Sequence, residues 1–395
     1  MSANTFKVVV LFLLATFCSA QEFASSVTTE SLVGQHGYPL ETHEVQTSDG
    51  YILTMYRIPY SPKLKNSASQ RPVALVMHGF LCASSIWFLN GPDESLPYML
   101  SNAGYDVWLP NARGTRYSRK HVTLSSDSED FWKFDWHEIG VYDQPALIDY
   151  ALNVTGEDQL YFIGHSEGTT AFFVMGSLFP SMLDRIRSAH LLAPVAYMIN
   201  TKSSLFVVGG SLLVEPSPFI NTFPNTELFA SSRSFELITT EMCKDGSMTQ
   251  NVCTNLFLDA FGLDSPYHNN TKMPELFAVY PSGASINQYQ HFAQLYFSGK
   301  FRQFDYGVEK NLEVYGTTEP PDYNLENLDV PMYAYYSDND YLAELSDSNR
   351  LFIRLKTLKR AYRVPETQWN HFDFVTGKGV GDVVYKVLLE DMAKA

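Results

Sequence analysis

The pentapeptide Gly164-His165-Ser166-Glu167-Gly168 constrains this chain more tightly than any other stretch. Apolar residues 160–163 run into it, and residues 169–179 run out of it with apolar side chains at helical spacing. The local reading is strand, tight turn, helix, the setting in which a G-x-S-x-G motif forms a nucleophile elbow. Glycines flank the serine because the turn is too sharp for side chains, and the strain lifts the hydroxyl to the carboxyl edge of a sheet. A chain with such a turn must build a sheet around it.

The remaining pattern supplies that sheet. Residues 44–47 and 51–58 flank Ser48-Asp49-Gly50 as a hairpin. Residues 73–77 are a short all-apolar run, as in a strand buried on both faces of a mostly parallel sheet, and end in His78-Gly79-Phe80-Leu81. A helix is predicted over 96–103, then a strand over 105–109 and the loop Asn111-Ala112-Arg113-Gly114. Residues 143–152 read as helix with Pro145 in the first turn, and 190–195 as one more strand after the elbow. This alternation predicts a doubly wound α/β sheet. It stops over 196–327, where prolines and scattered aromatics surround the apolar patches 205–208, 212–214, 219–220 and 256–261. We read a mainly helical cap inserted over the sheet's carboxyl edge, since such a length is too long for a loop. The sheet resumes with strands at 330–336 and 361–364, and a last helix carries Val383, Val384, Val387, Leu388 and Met392. The expected organisation is therefore a first core part over 21–195, the cap over 196–327 and a second core part over 328–395.

Residues 1–20 stand apart. Lys7 precedes an apolar run over 8–17, and Cys18-Ser19-Ala20 places small residues at −3 and −1 of a cleavage site. That is a secretory signal peptide, too short to span a bilayer. With no other stretch of transmembrane length, the mature protein is expected to be exported, either secreted or delivered to lysosomes. Of four cysteines, Cys18 leaves with the signal. Cys243 and Cys253 are the expected disulfide in an exported chain, and Cys82 is left as a small buried hydrophobe. The sequons at Asn153 and Asn269 predict glycosylation on exposed loops. A net charge of −15 argues against nucleic acid and anionic lipid, but not against adsorption to an uncharged oil surface.

A serine hydroxyl is a poor nucleophile and needs a base, which needs an orienting carboxylate. In α/β-hydrolases these follow in the order serine, acid, histidine, each on a loop at a strand's carboxyl end. Four histidines follow Ser166 at a distance: His190, His268, His291 and His371. His190 belongs to a strand and the next two to the cap, so His371, after the last strand, is the expected base. The acid is expected after strand 330–336, where spacing alone leaves Asp338 and Asp340 equally placed. Backbone N–H groups of Glu167 and Phe80 are the expected oxyanion donors. The chain has no H-E-x-x-H, paired C-x-x-C, G-x-G-x-x-G or P-loop, so no metal or nucleotide cofactor is expected.

With these residues in view the chain resembles the acid lipase family of α/β-hydrolases, the gastric and lysosomal acid lipases. The likeness runs from Gly37 to the C terminus. It is carried by Gly37-Tyr38-Pro39, Asp49-Gly50-Tyr51, His78-Gly79-Phe80-Leu81, residues 103–109, Asn111-Ala112-Arg113-Gly114, Tyr142-Asp143 and the elbow, and by Ser298-Gly299-Lys300-Phe301, Asp340-Tyr341-Leu342-Ala343 and Asn370-His371-Phe372-Asp373-Phe374. The resemblance implies Asp340 as the acid, a Cys243–Cys253 bridge, and hydrolysis of triacylglycerols or cholesteryl esters at an oil–water interface, by an acyl-enzyme on Ser166 beneath an apolar lid. It also exposes a departure, because the family usually has Gln where this chain has Glu167. An ionised carboxylate about 5 Å from an oxyanion would cost roughly 3 kcal/mol at an effective dielectric of about 20, near a hundredfold in rate. Glu167 is therefore expected to be protonated, held by a cation or turned away, and to lower the pH optimum relative to a Gln-bearing relative.

Overall fold

The computed structural model describes residues 27–67, 70–210, 225–229, 241–244 and 246–395. The signal segment 1–20 and the apolar patches 212–214 and 219–220 lie outside the described residues.

Period-two chemistry and all-apolar runs decide where each strand sits. The run Val73–Met77 (β3) is buried along its whole length, as are Asp106–Pro110 (β4) and Leu160–His165 (β5). These are the central strands. Glu41–Gln46 (β1) is mostly exposed and pairs antiparallel with Tyr51–Ile58 (β2), and β2 joins β4 antiparallel. Ile186–Leu192 (β6), Met332–Tyr336 (β7) and Leu358–Arg363 (β8) complete a sheet in the order β1-β2-β4-β3-β5-β6-β7-β8. All pairings from β4 to β8 are parallel. Helices Leu96–Asn102 (α1), Gln144–Thr155 (α2) and Glu167–Leu178 (α3) make the crossovers.

Three boundaries differ from the sequence reading for identifiable reasons. β6 begins at Ile186 and ends before residue 193, because Ala193 turns the backbone to φ 46°. β8 begins at Leu358; its solvent face carries Lys359, Ala361 and Arg363, so polar residues hid half of an edge strand. α2 runs through Thr155 to a left-handed cap at Gly156, φ 72°, which puts exposed Asn153 on a helix and not on the expected loop. Asn269 does lie outside any helix, accepting a hydrogen bond from Thr271.

Between β6 and β7 the described residues include Gln250–Phe261 (α4) and Ile286–Ser298 (α5), with further short helices. They also include a two-residue ribbon pairing Glu227–Leu228 with Ala284–Ser285, so the segment is not wholly helical. Cys243 is bonded to Cys253 on α4.

One buried charge cluster ties the hairpin to the loop after β4. The Arg113 guanidinium donates to Asp49 at 2.6 and 3.0 Å and to Asp143 at 2.8 Å, and lies 4.0 Å over the Tyr51 ring. Arg113→Met is expected to lower stability by about 3–5 kcal/mol, because Asp143 would be left buried and unpaired. Urea unfolding should show the loss, and the double variant with Asp143→Leu should regain part of it.

Candidate active site

Ser166 sits between β5 and α3 at φ 51°, ψ −119°, a region that non-glycine residues rarely occupy. The surrounding glycines are sterically required. A Cβ on Gly168 would lie 2.7 Å from the His78 carbonyl oxygen, and one on Gly79 would lie 3.0 Å from the Cβ of Ser166. The turn holds its geometry because the loop after β3 presses directly on it.

The structure brings Ser166, His371 and Asp340 together and buries all three. His371 Nε2 is 2.8 Å from Ser166 Oγ, and His371 Nδ1 is 2.8 and 3.0 Å from the Asp340 carboxylate. Asp340 also accepts the N–H groups of Leu342 and Ala343 at 2.8 Å each. With a carboxylate facing Nδ1, the ring proton belongs there, and Nε2 is left to accept the serine proton. Asp338 instead pairs with Arg363 at the sheet edge, at 2.6 and 2.7 Å. His190, His268 and His291 are engaged elsewhere, with Ser188 and Tyr335, with Met273, and with Asp135.

Two histidines not singled out from the sequence brace this arrangement. His165 Nε2 donates to the carbonyl of His371 at 3.1 Å, and burial holds its pKa well below the ordinary value. His78 accepts the Ala112 N–H on Nε2 at 3.1 Å, so its Nδ1 proton goes to the Gly79 carbonyl at 2.9 Å. Burial lowers the His78 pKa to about 4, so the ring stays neutral and keeps this pattern. Its effect is to set the peptides before Phe80. Phe80 and Cys82 line the cleft over Ser166; burial pushes the Cys82 thiol far up, which fits a packing residue and not a nucleophile.

Glu167 is buried, and its Oε1 accepts from the side-chain amide of Gln288 at 2.9 Å. That amide is oriented by its other end, since Gln288 Oε1 accepts the N–H of Ser285, the N-cap of α5. Burial raises the Glu167 pKa to about 8, with Asp135 adding to the effect and the Gln288 bond opposing it. Of the states expected from the sequence, this burial favours the protonated one at neutral pH. A neutral carboxyl is nearly isosteric with Gln. The Ser-x-x-Gln spacing is a capping-box signal that the sequence reading did not use, and its reach to Glu167 spans 121 positions of chain.

The narrow cleft above Ser166 is lined by Phe80, Met198, Leu205, Phe206, Phe261 and Phe292, among others. A family model described as a partial alpha/beta-hydrolase lipase region matches residues 29–91, and one described as the alpha/beta hydrolase fold matches residues 72–212. Lipase 3 of Drosophila melanogaster is 45% identical over 356 residues, covering 90% of each chain. Gastric triacylglycerol lipase of Homo sapiens is 35% identical over 361 residues, 91% of this chain and 89% of that one. A soluble variant of the monoglyceride lipase of Saccharomyces cerevisiae shares the fold, with a TM-score of 0.53 at 14% identity over 95% of this chain and 97% of that one. The fold and these relatives define the class as a serine ester hydrolase. Within it, this chain belongs to the lipase family of α/β-hydrolases.

A neutral Glu167 has a kinetic consequence. As pH rises through about 8 the carboxyl of the residue after the nucleophile ionises, and kcat/KM is expected to fall. In Glu167→Gln that alkaline fall should vanish or move up. Profiles on a soluble short-chain ester decide it, and superimposable curves would refute the assignment.

Proposed function

We propose that this lipase hydrolyses water-insoluble neutral esters, triacylglycerols or cholesteryl esters, through an acyl-enzyme on Ser166. The observation that carries the reading is a buried serine hydroxyl 2.8 Å from an imidazole that is itself 2.8 Å from a carboxylate, at the floor of an apolar cleft. Ser166 Oγ attacks the ester carbonyl while His371 Nε2 takes its proton. The N–H groups of Phe80 and Glu167 receive the oxyanion, each donor contributing about 10²–10³ in rate. Asp340 holds the Nδ1 proton and stabilises the imidazolium. The imidazolium then protonates the departing alcohol, and water, deprotonated by the same histidine, releases the fatty acid.

In this reading residues 21–195 and 328–395 form the catalytic core and 196–327 the cap. The water-insoluble substrate is favoured by the cleft's apolar walls and by exposed Ile199, Val207 and Phe297. Ile199 and Val207 are chain neighbours of the cleft residues Met198 and Phe206. Such exposed apolar side chains suit an oil–water interface despite the acidic net charge. Export to the extracellular space or a lysosome, removal of residues 1–20, and glycosylation at Asn153 and Asn269 complete the proposal.

A fluorophosphonate probe should label the wild type and not Ser166→Ala. Hydrolysis of triolein should rise abruptly once the ester forms an emulsion. Saturation below the solubility limit would instead mark an esterase of soluble esters, and no turnover with intact folding would mark a lipid-binding relative.

A further inference from the structure

The loops that carry Asp340 and His371 leave the sheet at β7 and β8, whose last ladder bond is Val364 N–H to the Tyr336 carbonyl at 2.8 Å. Beyond that point their spacing is held from outside the sheet. α4 ends against both loops, and the carbonyl of Phe261 accepts the N–H of Tyr341 and the N–H of His371, each at 3.2 Å. One oxygen with two lone pairs thus joins the residue after the acid to the base itself. Gly262 follows at φ 142°. A Cβ there would lie 2.0 Å from the Asn339 carbonyl oxygen and 2.7 Å from the Cβ of Asn370. These are the residues immediately before Asp340 and His371.

Side chains repeat the connection. Asn339 Nδ2 donates to the carbonyl of Leu263 at 2.7 Å and to that of Gln368 at 3.0 Å, and Asn370 Nδ2 donates to the Gly262 carbonyl at 3.3 Å. The Phe261 ring packs 4.8 Å from that of Phe372. On the opposite side, His165 holds the His371 carbonyl. The His371 residue is therefore clamped by its N–H to α4 and by its C=O to the elbow.

We propose that the Phe261–Gly262 junction is a positioning element of ester hydrolysis, one carbonyl setting the spacing of acid and base loops and the absent side chain at 262 letting them close. The inference rests on the reading of Ser166, His371 and Asp340 as the proton relay. Phe261 and Gly262 act through His371 and Asp340, and do so from the segment inserted between β6 and β7.

The test uses the full chain, a soluble short-chain ester, so that adsorption to oil plays no part, and fluorophosphonate labelling. Gly262→Ala is expected to lower kcat about a hundredfold with KM little changed, since a displacement of about 1 Å suffices for such a loss. The labelling rate should fall in parallel, and the acid-side limb of the kcat/KM profile should move. Asn339→Ala, which removes only the ties to Leu263 and Gln368, should give a smaller loss with the same signature. A Gly262→Ala protein that melts like the wild type and keeps its kcat, labelling rate and pH profile overturns the proposal. If Gly262→Ala does not fold, Asn339→Ala decides on the same readouts. Loss of labelling in Ser166→Ala while both other variants behave as wild type refutes the positioning element alone. Wild-type labelling in Ser166→Ala refutes the relay and the proposal together.

Discussion

Close approach of backbone to backbone at the elbow is the constraint on which the rest depends. Ser166 keeps an unfavourable φ of 51° because the loop after β3 lies on one side of it and the first turn of α3 on the other. Gly79, Gly164 and Gly168 make that proximity possible; a methyl group at 79 or 168 would meet neighbouring atoms at 3.0 Å or less. Strain at one residue is thus held in place by packing at three others. The same contact that confines the serine also delivers the backbone at Phe80 to the mouth of the cleft.

Polar groups then extend this steric order outward. Arg113 is fixed by Asp49 and Asp143; its neighbour Ala112 donates to His78, and His78 in turn donates to Gly79. A buried salt bridge thereby reaches the loop after β3 through successive hydrogen bonds. On the other face, α4 and His165 confine the loop that carries His371. Little of this stabilisation is hydrophobic in origin, although nearly all of it is buried, where an unsatisfied partner is expensive and geometry is correspondingly well defined.

Features written in local chemistry were legible in the sequence. The runs 51–58 and 73–77 became strands with the same ends, and the elbow stood out from five residues and their flanks. Features decided by distant partners were not. Asp338 and Asp340 could not be separated by spacing, because Arg363 on β8 draws the first away, and β8 was itself half hidden by its polar solvent face. The resemblance supplied Asp340 where physics alone did not. Gln288 caps a helix locally, a signal the sequence reading did not use, and its contact with Glu167 spans 121 positions of chain and exists only once the fold is made.

The interior of this protein stores protons. Burial raises the pKa of Glu167 from 4.5 to about 8, and does the same for Glu138; Asp373 is raised from 3.8 to about 7. The unfolded chain would release these protons several pH units earlier. Between those limits the native state binds more protons than the unfolded state, so each of the three groups weakens folding as the medium turns alkaline and strengthens it as the medium turns sour. Acid denaturation ordinarily works by forcing protons onto carboxylates that the native state needs charged. Here three carboxyls hold theirs beforehand and so resist acid denaturation, whereas the buried neutral rings of His78 and His165 gain protons only on unfolding and so promote it.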